Sequence, residues 1–200
     1  MDYKKLLFNI DIPSTHIPAE GMLLVSEPFL HEEYFNHSVI LLVDYEKGGN
    51  AMGVVLNNPT KYSLQELITD VTTEDPIPVY CGGPLADDRL FFLHTFGDLI
   101  PESRLVCDGL WVGGSFEAMR RIVNDGYPVE GNIRFFLGYS GWSENQLDSE
   151  LANNVWAVAG TPDAHTLLQG YGDSYWHERV RAMGPGYKGW LYHPQDPMNN

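Results

Sequence analysis

The residues most suggestive of chemistry lie between Gly138 and Glu150. Gly138, Tyr139 and Trp142 fall at a predicted sharp turn that follows an apolar strand, and Gln146 and Glu150 stand four apart on the helix predicted to follow. Two aromatic rings with polar tips beside an amide and a carboxylate would suit a small polar ligand or a peptide. A core pair of aromatics beside a solvated helix face explains the same residues without a ligand.

A second candidate group surrounds a glycine turn. Gly82, Gly83 and Pro84 follow a predicted strand over residues 77–81, and their backbone could form a nest that binds an anion, although a tight turn without ligand needs the same residues. His94 ends another predicted strand and is interpreted either as a structural histidine or as part of a site. Because open sheets place ligand sites at strand ends, we predict that the two glycine turns lie side by side with His94 near them.

Two candidate nucleophiles, Ser140 and Cys81, have structural alternatives. Ser140 follows Gly138 at a strand end, as in the nucleophile elbow of esterases, but Trp142 occupies the position that needs a second small residue. A turn whose serine binds backbone is therefore favoured. Cys81 could be an activated thiolate beside the glycine turn, or a small hydrophobic side chain that fills space at a strand end.

The sequence contains no pattern of metal ligands with a known spacing. His31, Glu32, Glu33 and His37 are close in sequence but match no such spacing, and neither C-x-x-C nor H-E-x-x-H occurs. We therefore predict no metal and no cofactor. Two cysteines are too few for a disulfide framework, and no apolar run is long enough to span a bilayer. These features predict a cytoplasmic protein with no membrane segment.

The charge composition argues against nucleic-acid binding. The 200 residues include 27 Asp and Glu against 12 Lys and Arg, a formal net charge of −15, and acids outnumber bases in both halves of the chain. Affinity for DNA comes largely from neutralisation of phosphates by Lys and Arg. The nearest approaches to a basic cluster are Arg120 with Arg121 and Arg179 with Arg181. Direct DNA binding is therefore not expected.

Turn residues divide the chain into about eight strands and about five short helices. Residues 38–45 and 51–57 are predicted to form a β-hairpin. A hairpin pairs its strands antiparallel, which argues against a regular doubly wound sheet. The predicted fold is α+β, a single domain with a mixed, largely antiparallel β-sheet. We divide the chain into an N-terminal arm (1–20), the α+β domain (21–184) and a C-terminal tail (185–200). The predicted helix caps are Ser63, Ser115, Ser143, Thr161 and Ser174.

A series of short motifs over most of residues 20–190 resembles the YqgE/AlgH family of bacterial proteins. In chain order the main ones are Ser26-Glu27-Pro28, Ala51-Met52-Gly53, Gly82-Gly83-Pro84, Asp108-Gly109-Leu110 and Gly138-Tyr139-Ser140-Gly141-Trp142. The extension after Gly184 is similar to the Bacteroidetes branch. The sequence departs from the family pattern at Asn58, where many relatives carry arginine, and at residues 143–145, where many carry Gly-Pro-Gly.

The resemblance implies a cytosolic α+β protein of a family in which some members are labelled transcriptional regulators. It transfers no catalytic residue and no cofactor. We therefore predict a non-enzymatic binding or regulatory protein that acts through a small ligand or a protein partner, with any effect on transcription indirect. The alternative is an enzyme with a small polar substrate, built around His94, Tyr139 and Glu150. No sequence motif joins a nucleophile to a base, which disfavours the enzyme.

Overall fold

The computed structural model describes residue 12, residue 14 and residues 16–192. Most of the predicted arm and residues 193–200 of the predicted tail lie outside these residues. The described strands are β1 (Leu23–Ser26), β2 (Val39–Tyr45), β3 (Ala51–Val55), β4 (Pro59–Ser63), β5 (Pro78–Cys81), β6 (Leu85–His94), β7 (Arg104–Cys107), β8 (Leu110–Val112), β9 (Ile133–Trp142) and β10 (Trp156–Ala159).

Short helices connect or cover these strands. They are α1 (Leu64–Leu67), α2 (Phe116–Asn124), α3 (Gln146–Ala152), α4 (Ala164–Leu167), α5 (Gly172–Ala182) and a 3-10 helix (Pro185–Tyr192). The predicted α+β class and the single domain are confirmed. The 3-10 helix lies in the predicted tail, and its Trp190 is fully buried against the ring of Trp176.

The sheet follows the order β10-β1-β2-β3-β9-β6-β8-β7, and β5 joins it beside β9 and β4. The strand pairs are antiparallel except for the parallel pair of β5 and β9, so the sheet is mixed and largely antiparallel as predicted. The sheet also curls back on itself. A Cβ placed on Gly21, just before β1, would lie 2.8 Å from Cβ of Cys107 at the end of β7.

Strand β9 organises the sheet because three other strands pair with it. Along one edge, residues 135–137 pair with β5 and residues 140–142 pair with β3, while β6 runs along the other edge. The change of partner occurs at Gly138, which has a φ of +71°. The sharp turn predicted over residues 138–142 is therefore wrong: the chain stays in one strand and bends at this glycine.

Three groups of buried side chains fill the space around the sheet. The largest includes Trp176 and Trp190, the second packs Met119 of α2 against the sheet, and the third packs Leu147 of α3 beside Trp156. The helices thus cover three different parts of the curled sheet. Among the described residues, no helix combines the length and the apolar character that a membrane span requires.

Three helix starts differ from the predicted ones. Helix α3 begins at Gln146, and its cap residue is Asn145 and not Ser143. Asn145 has a φ of +59°, a left-handed conformation that asparagine adopts more readily than most residues. The cap before α4 is Asp163 and not Thr161: the Asp163 carboxylate accepts the backbone N–H of Thr166 at 3.0 Å. An aspartate is a stronger cap than a threonine, which explains why the cap of α4 forms at Asp163. Helix α5 begins at Gly172, so Ser174 lies in its first turn, where its hydroxyl donates to the carbonyl oxygen of Tyr171.

Candidate functional site

The two glycine turns identified in the sequence are in direct contact. The backbone N–H of Gly82 donates to the carbonyl oxygen of Leu137, and the carbonyl oxygen of Gly82 accepts from Val55 and from the hydroxyl of Ser140. Gly82 therefore bridges β9 and β3 at the place where β9 changes partner. The predicted juxtaposition is confirmed, and Ser140 is a buried serine that binds backbone, as the structural interpretation expected.

The N–H groups of Gly82 and of the preceding Cys81 are engaged in the sheet. The N–H of Cys81 donates to the carbonyl oxygen of Asn58 at 2.8 Å, and the N–H of Gly82 donates to Leu137. Pro84 has no N–H. A Cβ on Gly83 would lie 2.4 Å from the carbonyl carbon of Tyr139. Only glycine therefore allows the backbone at residue 83 to pass so close to that of Tyr139. The contacts give Gly82, Gly83 and Pro84 a structural role and offer no support for an anion-binding nest.

Glu150 joins two residues of the predicted group, Trp142 and Gln146, to Trp156. One carboxylate oxygen accepts the indole N–H of Trp142 at 2.8 Å and that of Trp156 at 2.6 Å, and the other oxygen accepts from the side-chain amide of Gln146 at 2.9 Å. The two indole rings meet edge to face. Trp142 is 5% exposed. This cluster fixes α3 against the sheet.

Tyr139 faces away from that cluster. It stands three residues before Trp142 on the same strand, so the two side chains lie on opposite faces of the sheet. The ring of Tyr139 packs edge to face against Phe91, with centroids 5.6 Å apart.

The side-chain oxygen of Gln146 accepts hydrogen bonds from the backbone N–H and the hydroxyl of Ser143, which confirms the predicted contact between these two residues.

His94 is buried far from both glycine turns. It pairs with Ile133 at the beginning of β9, while Tyr139 lies six residues further along, roughly 20 Å at the rise of a β-strand. Its Nε2 lies 3.0 Å from the carbonyl oxygen of Gly113, and its Nδ1 accepts the N–H of Phe96 at 3.1 Å. Burial lowers the pKa of His94, against the opposing effect of the Gly113 hydrogen bond. The expected position near the glycine turns is therefore wrong.

Cys81 is a free, half-buried thiol. Burial raises its pKa, and the carboxylates of Asp87 and Glu33 act in the same direction, while a weak contact with the carbonyl oxygen of Gly83 opposes them. These effects disfavour the thiolate. The activated-thiolate interpretation therefore finds no support.

A cavity lies elsewhere, at the beginning of β9. Its volume is about 620 Å³, and three separate segments of the chain form its walls. Its lining residues are Thr73, Glu74, Asp75, Pro76, Ile77, Pro78, Tyr80, Val123, Gly126, Tyr127, Val129, Glu130, Ile133, Arg134, Leu168, Gln169 and Tyr171. We call it the β9 cavity.

Arg134 and Tyr80 belong to the buried part of this lining. One guanidinium nitrogen of Arg134 donates to the carbonyl oxygens of Leu56 and Gly170 at 2.7 and 2.6 Å, and the other donates to that of Leu168. The guanidinium also stacks on the ring of Tyr80, 4.2 Å from its centre. Burial lowers the pKa of Arg134, and the neighbouring Tyr80 opposes this shift. Arg134 thereby ties β9 to two other segments.

The β9 cavity was not predicted from the sequence because its lining residues form no motif that suggests chemistry. Tyr127 and Tyr171, 43% and 59% exposed, lie in loops that carry no recognisable pattern. One signal was present in the sequence: Arg134 is the only charged residue in the apolar run 133–137. A charge inside such a run indicates a buried hydrogen-bonding role.

A smaller pocket of about 190 Å³ contains Asn58, the position at which many relatives carry arginine. His37 and Asp173 also line it, and the Asp173 carboxylate contacts the imidazoles of His37 and His177. Within the described part of the chain, no group of three or more His, Cys, Asp or Glu side chains is arranged to hold a metal ion.

Comparisons with known proteins identify the family. A family model described as AlgH-like matches residues 23–188. A UPF0301 protein of Parabacteroides distasonis is 40% identical over 186 residues, and one of Bacteroides fragilis is 37% identical over 184 residues; each alignment covers 92% of both chains. These relatives confirm the similarity to the Bacteroidetes branch.

Two solved structures share the fold. The solution structure of the AlgH protein from Pseudomonas aeruginosa superposes with a TM-score of 0.68 at 25% identity, covering 90% of this chain and 98% of that one. A crystal structure of a Corynebacterium diphtheriae protein superposes with a TM-score of 0.66 at 24% identity, covering 94% and 97%. With a family model that spans most of the chain and relatives at up to 40% identity, this protein belongs to the AlgH-like family.

Proposed function

We propose that this protein is a non-enzymatic, cytoplasmic binding protein that takes a small ligand in the β9 cavity. The observation that carries the proposal is the cavity itself. Its volume of about 620 Å³ falls within the range of roughly 300–1,000 Å³ that is usual for small-molecule sites. Its walls combine apolar side chains such as Ile77 and Val123 with a few polar groups, which is also usual for such sites.

The chemistry of the lining supports binding over catalysis. The described lining residues include no serine, cysteine or histidine that could pair as nucleophile and base. The hydroxyl of Thr73 already accepts from the amide of Gln65 at 2.7 Å. The alternative, an enzyme built around His94, Tyr139 and Glu150, requires three side chains that the fold holds in separate places, so no observation favours it.

A role in regulation would be exercised through the bound ligand or a protein partner. The net charge of −15 opposes approach to the phosphates of DNA. Titration of labelled promoter fragments by fluorescence anisotropy tests this point. We expect no sequence-specific binding at physiological salt. Specific binding tighter than about 1 μM would contradict an indirect role, because non-specific affinities typically lie between about 10⁻⁴ and 10⁻⁶ M.

Ligand binding is tested by thermal unfolding against a library of metabolites. A compound that binds the folded state alone raises the melting temperature. Truncation of the exposed rings, Tyr127→Ala or Tyr171→Ala, should reduce that shift. Tyr62→Ala is the matched control, because Tyr62 is 42% exposed and lies outside the cavity. A shift that survives both cavity variants would place the ligand elsewhere, and a library without any stabilising compound would favour a protein partner.

A further inference from the structure

The charged residues of the β9 cavity are distributed unevenly. Glu74, Asp75 and Glu130 are exposed at its rim, whereas Arg134 is the single basic residue of the lining and is buried. No ion pair among the described residues involves any of the three carboxylates. The rim is therefore negative, as is the whole chain, and the field at the entrance attracts cations.

The buried Arg134 does not reverse this preference. Its guanidinium donates to three backbone carbonyl oxygens, and one of its faces is covered by the ring of Tyr80. Carbonyl dipoles and an aromatic face both compensate a positive charge. The guanidinium thus has structural partners, whereas no positively charged side chain among the described residues pairs with the rim carboxylates.

Three surface carboxylates do not by themselves make a site, but these three border a cavity that also presents aromatic rings. Tyr127 and Tyr171 line the same cavity and leave 43% and 59% of their surface exposed. The face of an aromatic ring attracts a cation, and the attraction adds to that of nearby carboxylates. Aromatic rings and carboxylates around one cavity are the combination that recognises organic ammonium groups.

Glu130 and Tyr80 line the same cavity. Burial raises the pKa of Tyr80, Arg134 opposes this effect, and the charges of Tyr171 and Glu130 raise the pKa further. A positive group placed between them would gain from both the carboxylate and the rings.

We propose that the β9 cavity binds a small organic ammonium compound, whose positive charge lies between the rim carboxylates and the exposed rings of Tyr127 and Tyr171. This inference rests on the proposed ligand-binding function and adds the charge class of the ligand. The carboxylates attract and orient the cation, and the tyrosine rings supply the surface that it contacts after losing part of its hydration shell.

Three probes of matched shape and different charge test the proposal. They are choline, its neutral carbon isostere dimethylbutanol and the corresponding anion dimethylbutanoate. Binding to the full chain is followed by NMR through the backbone signals of cavity residues. We expect saturable shifts with choline and an affinity for dimethylbutanol about tenfold weaker, since a cation–π contact contributes roughly 0.5–2 kcal/mol. Dimethylbutanoate should bind more weakly still.

Two triple variants separate the local carboxylates from the overall charge. The cavity variant carries Glu74→Gln, Asp75→Asn and Glu130→Gln, and the control carries Asp88→Asn, Asp98→Asn and Glu144→Gln at exposed positions outside the cavity. Both change the net charge by the same amount. We expect the cavity variant to lose choline affinity by about tenfold and the control to lose less than about twofold, because surface charges beyond a Debye length are screened.

The outcomes distinguish this inference from the proposed function. Equal binding of choline and dimethylbutanol, or stronger binding of dimethylbutanoate, would overturn the cation preference and leave the cavity as a ligand site. Equal loss of affinity in the two triple variants would also overturn it. If none of the three probes binds but a library compound of neutral or negative charge binds in the cavity, the proposed function stands and the ammonium assignment is wrong.

Discussion

Gly82 and Gly138 approach each other so closely that a Cβ on Gly82 would lie 2.3 Å from the carbonyl oxygen of Gly138. That oxygen belongs to the strand backbone and cannot move aside without disturbing β9. Gly138 is equally constrained: its φ is +71°, and its own Cβ would lie 2.6 Å from the carbonyl oxygen of Gly83. The contact of these two glycines holds the point at which β9 changes from β5 to β3.

We expect Gly82→Ala to destabilise the protein by about 3 kcal/mol or more, since overpacking against backbone cannot relax. Urea denaturation measures the change in unfolding free energy. The control is Gly160→Ala, because Gly160 is exposed and nothing lies within 4 Å of a Cβ placed there. It should leave the stability unchanged or raise it by about 0.5 kcal/mol. Equal effects of the two substitutions would show that the close approach does not constrain the strand.

A second prediction concerns the carboxylate of Glu150. Glu150→Ala should cost about 3 kcal/mol, because it leaves the buried indole N–H groups of Trp142 and Trp156 without their acceptor. Glu150→Gln keeps one oxygen acceptor and should cost only about 1 kcal/mol. The measurements are urea denaturation and tryptophan fluorescence.

The exposed Glu144, on the turn before α3, gives the control for Glu150. Glu144→Ala should be close to neutral, since surface substitutions usually change stability by less than about 0.5 kcal/mol. If Glu150→Ala behaved like Glu144→Ala, the carboxylate would have no structural role and its assignment to a ligand would regain support.

The thiol of Cys81 should react slowly at neutral pH. Burial raises its pKa, so the thiolate is scarce at pH 7. In a Cys107→Ser background, which isolates Cys81, we expect alkylation by iodoacetamide to be about tenfold or more slower than that of glutathione, and to accelerate as the pH rises towards 9 and above. Denaturation in urea should remove the difference. A rate at pH 7 that exceeds that of glutathione would mean that the thiolate is stabilised.

The parts of the fold that the sequence predicts well are those with local causes. The turn at Gly82-Gly83-Pro84, the apolar beginning of β9 and the contact of Ser143 with Gln146 each depend on neighbouring residues, and the fold class follows from the order of such elements. The contact of Gly82 with Gly138 was expected because each follows an apolar strand and strand ends can meet at one edge of a sheet. It forms because β5 and β9 are parallel neighbours, with Cys81 opposite Leu137.

The β9 cavity could not be predicted because its walls come from residues 73–80, 123–134 and 168–171. No local pattern places these segments together. His94 shows the same limit: a histidine at a strand end can face solvent or the core, and the segment that covers it decides. Here the residues after β6 and after β8 supply its two hydrogen-bond partners, at Phe96 and Gly113. Because these segments bury the side chain of His94, it does not line the site that was expected beside the glycine turn.

The last prediction concerns the protonation of His94. With Nε2 beside a carbonyl oxygen and Nδ1 accepting a backbone N–H, the ring is a neutral tautomer protonated at Nε2. Protonation would turn Nδ1 into a donor that faces the N–H of Phe96. Burial accordingly lowers the pKa of His94 in the folded state. The unfolded chain has a histidine pKa of about 6.5 and binds the proton first as the pH falls.

The contribution of His94 to the unfolding free energy should decrease as the pH falls. Between the two pKa values the unfolded state carries more protons, so the stability contributed by His94 is fully present above about pH 6.5 and is lost as the pH falls through its lowered folded value. His94→Gln should destabilise the protein by about 1–3 kcal/mol at pH 8, because hydrogen bonds of the buried ring are lost. The difference in unfolding free energy between wild type and variant should narrow from pH 8 to pH 5. The exposed His31→Gln controls for removal of one histidine. A difference for His94→Gln that stays constant over this range would show that folding leaves the pKa of His94 unshifted.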